Sequence, residues 1–468
     1  MPDAATLVQW AEWFFLAYFL CVNGGYLLLV FLASFRLADY MGTVDFTDLP
    51  HVYTELEPPV TVLVPAYNEA ASIVGSVRSL LQLRYSEFEV VVINDGSSDA
   101  TLAELLAAFG LQEFPEAYRV RLATRQVRAV YRSTLHANLR VIDKENGGKA
   151  DALNAGINAA RYPLFCGVDA DSMLQPESLR LLVQPFLTDP HTVACGGAVR
   201  LANGCEVSGG VLQQARLPKN PLALFQIVEY LRAFLFGRLG WAALNALLVI
   251  SGAFGLFHKE TVVGAGGYRV DTVGEDMELV VRLHRVLRQA KKPYRITFLP
   301  DPVCWTEAPE KLSTLRNQRV RWQRGLGESL MMNRALFCGR GTGLVGWFAF
   351  PFFVFFEWWG PFFEVVGYGV TIWAYWQGLL NFQAMLLFFS VAVGLGMLLS
   401  VSSLFLEERS FHIYTRFRQL LALLAASVVE NFGYRQLITL FRLYGLMLAV
   451  VGVRARWGRM ERRGAVRE

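Results

Sequence analysis

The sequence predicts an α/β domain built on a parallel sheet and inserted between α-helical membrane segments. Three observations predict it. The 468-residue chain is 54% hydrophobic and only 18% charged, with a mean hydropathy of +0.33, and its apolar excess sits in uninterrupted runs near the two ends. The middle alternates short β-branched runs with amphipathic stretches. Polar clusters fall where the β-branched runs stop, which is where an open parallel sheet binds its ligands. This composition excludes a disordered, collagen-like or disulfide-stapled chain and argues against a purely soluble one.

The elements follow in order. Trp13 to Phe35 is 23 residues without a charge, enough to cross a hydrocarbon core that needs about 20. A cleaved signal peptide fits poorly, because the first twelve residues carry Asp3 and Glu12 but no Lys or Arg. Gly341 to Phe356 is a further 16 uncharged residues, and Val365 to Leu406 is 42, with a polar hinge at Gln377, Gly378 and Asn381 that divides it into two spans. Arg36 follows the first span, and the tail Arg454 to Glu468 holds six arginines against two glutamates. The positive-inside rule therefore predicts a multi-pass protein of the inner (plasma) membrane, its middle and C-terminus cytoplasmic and its N-terminus outside, with an odd number of crossings. Arg418 to Val453, which carries Glu430, Arg435 and Arg442 inside apolar sequence, is either a hairpin that raises three crossings to five or an amphipathic helix on the inner face. The expected divisions are an N-terminal helix and linker (1–50), a cytosolic domain with interface helices (51–340), C-terminal membrane and interface helices (341–453) and a basic tail (454–468).

Within the middle, Val60 to Val64 reads as a buried strand ending at Pro65. Ile73, Val77, Leu80 and Leu81 share one face of a helix. Glu89 to Ile93 is a second strand, followed by the turn Asn94 to Asp99; Leu139 to Ile142 and Leu164 to Val168 are further strands, separated by a helix over Ala150 to Ala160. Leu239 to Phe257 is 19 uncharged residues, but a single crossing there would put Asp171 and Asp276 on opposite sides of the bilayer. We read Leu222 to Leu235 as an amphipathic interface helix and Leu248 to Phe257 as a buried strand and loop. The six cysteines show no paired metal spacing and read as free thiols. The net charge of +4 equals the excess in the tail, so it points to membrane orientation and not to nucleic acid.

Asp169-Ala170-Asp171 directly after a buried strand is the central motif. Two carboxylates so spaced suit a divalent cation that bridges diphosphate oxygens, although a solvated turn explains many such triplets. Asp95 opens an Asp-Gly-Ser-Ser turn that could hold a nucleoside or be an ordinary Asx turn. Lys149 stands at a helix start, where cation and helix N-terminus suit phosphates; the surrounding residues are not a Walker loop, because Asp143 and Ala150 replace its first glycine and its hydroxyl residue. Glu275-Asp276 precedes the helix Met277 to Leu287, where the acids serve as N-caps or one serves as a general base toward a sugar hydroxyl. Gln318-Arg319-Val320-Arg321-Trp322 offers a cation for a departing diphosphate and an indole for a sugar's apolar face.

Asp95, Asp169-Ala170-Asp171, Gly274-Glu275-Asp276 and Gln318-x-x-Arg321-Trp322, in this order between membrane segments and together with Pro65-Ala66-Tyr67-Asn68-Glu69, resemble the signature of processive family 2 glycosyltransferases. These are the cellulose, hyaluronan, chitin-oligosaccharide and poly-N-acetylglucosamine synthases. Ile250-Ser251-Gly252-Ala253-Phe254, Gly266-Gly267-Tyr268 and Cys304-Trp305-Thr306 most resemble the poly-β-1,6-N-acetylglucosamine synthases. The chain departs from that pattern in having one clear N-terminal span and a glycine at 274 where many relatives carry Thr or Ser. The 15 residues after Val453 are too few for the regulatory domain of cellulose synthases, so cellulose is not expected.

The resemblance implies a GT-A fold and an inverting enzyme that polymerises a β-linked polysaccharide from a UDP-sugar, with UDP-N-acetylglucosamine the expected donor. It implies donor binding by Ala66, Asn68, Glu69, Asp95, Lys149, Asp169, Gln318 and Arg321, and Mg2+ or Mn2+ on Asp169 and Asp171. Asp276, beside Glu275, is the implied base, and Trp322, Ser251 and Gly252 the implied acceptor site. The implied partners are the donor, the growing polysaccharide, the lipid bilayer and, optionally, a small membrane accessory subunit. The competing readings are a lipid glycosyltransferase of the ceramide-glucosyltransferase kind, which makes a single-sugar glycolipid, and a transporter or receptor that only senses the nucleotide-sugar.

Overall fold

The computed structural model describes residues 4–44, 57–208 and 211–452. Strands β1 (Val60–Ala66), β2 (Phe88–Asp95), β5 (Leu139–Lys144) and β6 (Leu164–Val168) form the parallel centre of the sheet, in the order β5-β2-β1-β6. Each is buried along nearly its whole length, as expected of parallel strands covered on both faces. β1 runs through Pro65 and does not end there. Pairing with β6 stops at Leu63, so the N–H that proline lacks falls where only β2 remains as a neighbour.

The sheet is mixed and not parallel throughout. On one side β4 (Val127–Ser133) runs antiparallel to β5 and carries β3 (Leu111–Glu113) at the edge. On the other side β11 (Phe254–His258) lies antiparallel between β6 and β8 (Thr192–Leu201). Beyond β8 come β12 (Arg295–Thr306), parallel to it, and β7 (Met173–Leu174), which gives ten strands in all. β9 (Glu206–Ser208) and β10 (Val211–Gln214) form a separate two-stranded ribbon. The buried strand and loop predicted over Leu248 to Phe257 are both present, with the strand beginning at Phe254. Leu248 and Ile250 are buried in the loop before it.

The helix predicted over Leu222 to Leu235 is longer, continuing from Pro221–Glu229 through a π segment, Tyr230–Gly237, into Arg238–Ala243. It therefore takes up the front of the 19-residue apolar run, which is not a span. Helix Lys149–Ala159 covers β1 and β2 with every residue from Ala150 onward buried. Helix Glu275–Gln289 starts at the two acids, with Gly274 as its N-cap, so Glu275 and Asp276 are first-turn residues and not caps.

The N-terminal helix runs from Ala4 to Val44, well past the predicted 23 residues. Among the described residues, Thr6–Gly42, Phe382–Ser410 and Tyr434–Val451 are long and apolar enough to cross a membrane. Val345–Trp358 and Gly360–Trp376 make a fourth only if counted as one broken span, bent by 50° at Gly360-Pro361. Gln377 caps that pair and Asn381 caps the next helix, as the polar hinge predicted. The stretch after Arg418 forms two helices, of which Phe417–Val429 is too short to cross. Its charges are partnered: Glu430 meets Arg232 and Ser400, and Arg442 reaches Glu357 at 2.8 Å and Gln323 at 2.8 Å. The linker residues 45–56 and the basic tail 454–468 lie outside the described residues. All six cysteines are free thiols.

Candidate active site

The site begins at the carboxyl ends of β1, β2 and β6. Past β1, Asn68 takes a left-handed backbone (φ 56), and its Oδ1 accepts from the Ser98 N–H at 2.8 Å while its own N–H donates to Ser97 Oγ at 3.0 Å. The Glu69 N–H donates to Thr101 Oγ1 at 2.9 Å. These bonds stitch the loop after β1 to the loop after β2.

Asp95, at the end of β2, is buried and fully engaged. Its Oδ1 accepts from Lys144 Nζ at 2.5 Å and from the Gly147 N–H at 3.0 Å, and its Oδ2 from the Gly148 N–H at 2.7 Å. Lys144 is itself wholly buried and pairs with Asp151 at 2.7 Å. The carboxylate that reads as a nucleoside ligand thus fixes the turn that leads into helix Lys149–Ala159. Lys144 was not visible as a site residue, because its partner stands 49 residues away in sequence.

Lys149 ties three motifs together. It forms an ion pair with Asp169, donates to the Gly252 carbonyl at 2.9 Å and lies 3.8 Å from Glu275. Burial pulls its pKa down, but the carboxylates of Asp169 and Glu275 prevail and hold it above the ordinary lysine value. Glu275 is pushed up to about 7, first by burial and then by Asp276 beside it, against the pull of Lys149. Asp276 is half-buried at the cavity wall, and one of its oxygens accepts from the Met277 N–H at 2.8 Å. A Cβ on Gly252 would come within 2.9 Å of Asp276 Oδ2, so the glycine leaves the carboxylate open to the cavity.

The second wall is helix Leu312–Met332. Its approach to the acid-bearing helix is backbone on backbone: a Cβ on Gly274 would lie 2.8 Å from the Gly325 Cα. The Gly274 backbone (φ −122) is open to any residue, so space and not conformation demands glycine there. Gln318 is buried, and its Oε1 has no hydrogen-bond partner among the described residues. Arg319 grips Glu229 through two bonds of 2.7 and 3.0 Å and lays its guanidinium 4.5 Å over the Trp322 ring. Phe234 stands 5.6 Å from the same ring. Trp322 is thus half-buried, held on one side and facing the cavity on the other. Arg319, Glu229 and Phe234 were missed as supports, because Glu229 stands 90 residues from Arg319 in sequence.

Every residue predicted for donor, metal, base or acceptor lines a single cavity of 1940 Å³. Its far end is walled by Tyr18, Phe19, Phe356, Glu357 and Arg442, which belong to the apolar helices.

Residues 165–429 match the profile of glycosyl transferase family group 2, and residues 61–218 that of glycosyl transferase family 2. The chain is a family 2 glycosyltransferase. Among its relatives, the poly-β-1,6-N-acetyl-D-glucosamine synthase of Staphylococcus aureus (strain COL) is 31% identical over 275 residues, 58% of this chain and 55% of that protein. The synthase of the same name from Staphylococcus epidermidis is 28% identical over 273 residues, with the same two coverages. This glycosyltransferase spans about half the length of those relatives. Among solved structures, a mannosyltransferase from Pyrobaculum calidifontis, in complex with GDP-Man and Mn2+, superposes with a TM-score of 0.51 at 17% identity, covering 90% of this chain and 99% of its own. The mixed sheet is the GT-A fold.

Proposed function

We propose that this glycosyltransferase polymerises a β-linked polysaccharide from UDP-N-acetylglucosamine and feeds the product toward its apolar helices. The observation that carries the reading is the continuity of the cavity, which joins the Asp276–Trp322 site to the walls of those helices. The name shared by the staphylococcal relatives supports the choice of sugar.

The chain's own residues divide the work. Asp95 shapes the nucleotide end through the Gly147-Gly148 turn that it holds. Lys149 and Arg321 carry positive charge to the donor's diphosphate, and Gln318, on the same wall, has an unpaired amide oxygen that can accept from a hydroxyl of the donor. Trp322 stacks on the acceptor's terminal sugar and presents a hydroxyl to Asp276. As the acceptor oxygen bonds to the anomeric carbon, the bond from that carbon to the diphosphate breaks, the hydroxyl proton passes to Asp276, and the configuration inverts.

Asp169 and Asp171 would hold Mg2+ or Mn2+. The donor set fits: two oxygen ligands follow β6 into the cavity, and no third His, Cys, Asp or Glu gathers with them among the described residues. Such a cation takes one or two carboxylates and completes its shell from phosphates and water. When bound, it neutralises charge on the leaving diphosphate. In this reading the catalytic domain faces the cytoplasm, where UDP-sugars are made.

The test is to incubate the purified protein with each UDP-sugar separately and analyse the product by mass and linkage. A long β-linked polymer from UDP-N-acetylglucosamine supports the reading. A lipid carrying one sugar replaces it with the glycolipid reading, and binding without UDP release makes the protein a sensor.

A further inference from the structure

Arg238 stands inside the cavity on the helix segment Arg238–Ala243, and no motif of the sequence includes it. It is 8% exposed, and its Nη1 has no hydrogen-bond partner among the described residues. No carboxylate of the described residues comes within ion-pair distance. Among the described residues its close partner is the face of Phe234, 4.5 Å from the guanidinium carbon. A buried cation without a counterion is costly, and a cation–π contact returns only part of that cost. Two neighbouring arginines do have a carboxylate: Arg319 has Glu229, and Arg232 has Glu430.

Position narrows the choice of ligand. Phe234 bridges Arg238 to Trp322, and the field of Asp276 reaches Arg238 strongly enough to offset part of the burial that pushes its pKa down to about 10. The segment lies against the N-terminal helix, since a Cβ on Gly240 would collide with the Leu29 carbonyl oxygen. The cation is therefore on the side of the cavity that faces the apolar helices, while the nucleotide end has Lys149 and Arg321. Arginine is a donor only, so what it awaits is an oxygen.

We propose that Arg238 is an acceptor-positioning residue: its free N–H donates to an oxygen on the terminal sugar of the acceptor glycan, next to the hydroxyl that Asp276 deprotonates. The assignment rests on the glycosyl-transfer reading above. It turns the Trp322 platform, which fixes a sugar's plane, into a site that also fixes rotation within that plane.

The experiment uses the full-length protein in detergent with UDP-N-acetylglucosamine as donor and a β-1,6-linked N-acetylglucosamine trisaccharide as added acceptor, for wild type, Arg238→Met and Arg238→Lys. The expected result is an acceptor KM raised about 10- to 100-fold by Arg238→Met, the loss of one charge-assisted hydrogen bond. Arg238→Lys should recover part of that loss, with the donor KM and UDP affinity of both variants close to wild type. An acceptor KM that does not move, or a rise in donor KM of the same size, overturns the assignment. So does loss of UDP binding in both variants, which would make the arginine a structural support. If the wild type itself releases no UDP, the transfer reading falls and takes the assignment with it.

Discussion

Placing a methyl group between the helix of Glu275-Asp276 and the helix of Trp322 should separate the proposed base from the proposed platform. Gly274→Ala adds a carbon 2.8 Å from the Gly325 Cα and 3.0 Å from its carbonyl carbon; Gly325→Ala adds one 2.8 Å from the Gly274 Cα. Carbon pairs rest at about 3.5–4.0 Å, so relief needs roughly 1 Å of movement. The atoms met are backbone, and no side-chain rotation can supply it. Asp276 lies two residues from one glycine and Trp322 three from the other, so the displacement reaches both. A shift of about 1 Å in such a pair costs on the order of 10² in rate. Stability should change less: overpacking costs about 1–3 kcal/mol, and Gly325→Ala regains about 1 kcal/mol of helix propensity. The assay is initial-rate transfer from UDP-N-acetylglucosamine, with UDP affinity measured by calorimetry on the same samples. Transfer should fall in each variant while UDP still binds at the Asp95–Gly148 end. Wild-type transfer in both variants would refute the close-approach argument.

Asp171→Asn should abolish turnover at any Mg2+ or Mn2+ concentration, because a carboxylate ligand is lost; full activity would remove its metal role. Glu275 gives a pH signature. Its folded pKa of about 7 lies above the ordinary glutamate value of 4.5, so the folded state binds this proton more tightly and stability is lost as pH rises from about 4.5 to 7. The loss is on the order of 3 kcal/mol by pH 8. Glu275→Gln should therefore show a smaller fall in unfolding midpoint than wild type between pH 5 and pH 8, and parallel curves would contradict the burial argument. Trp322→Ala should shorten the polymer more than it lowers UDP release, since water needs no stacking platform; normal-length product would move the glycolipid reading ahead.

The parallel centre of the sheet was legible because β1 and β2 are β-branched runs and β6 is a short apolar run, each with polar residues at its end. β8 and β12 were not, because each carries the residues that punctuate a strand: Gly196-Gly197 in one, and Pro300 and Pro302 in the other. β12 pairs with β8 only through shifts of register on either side of Pro302. The site was legible wherever a motif sits at a strand end or helix start, since those positions fix direction from local sequence. Lys144 and Arg238 carry no such label. What marks them is a partner, or the lack of one, on a distant element, and only the folded chain reveals it.

The central claim is that Asp276 takes the acceptor's proton at the junction of the cavity's two ends. Asp276→Asn tests it most directly, with UDP release and UDP affinity measured together on the purified protein. The amide keeps the shape and the bond from the Met277 N–H, but it cannot accept the proton. UDP release in the presence of acceptor should fall by about 10²–10⁴ at near-normal UDP affinity. Release at the wild-type rate would contradict the account and leave the base elsewhere.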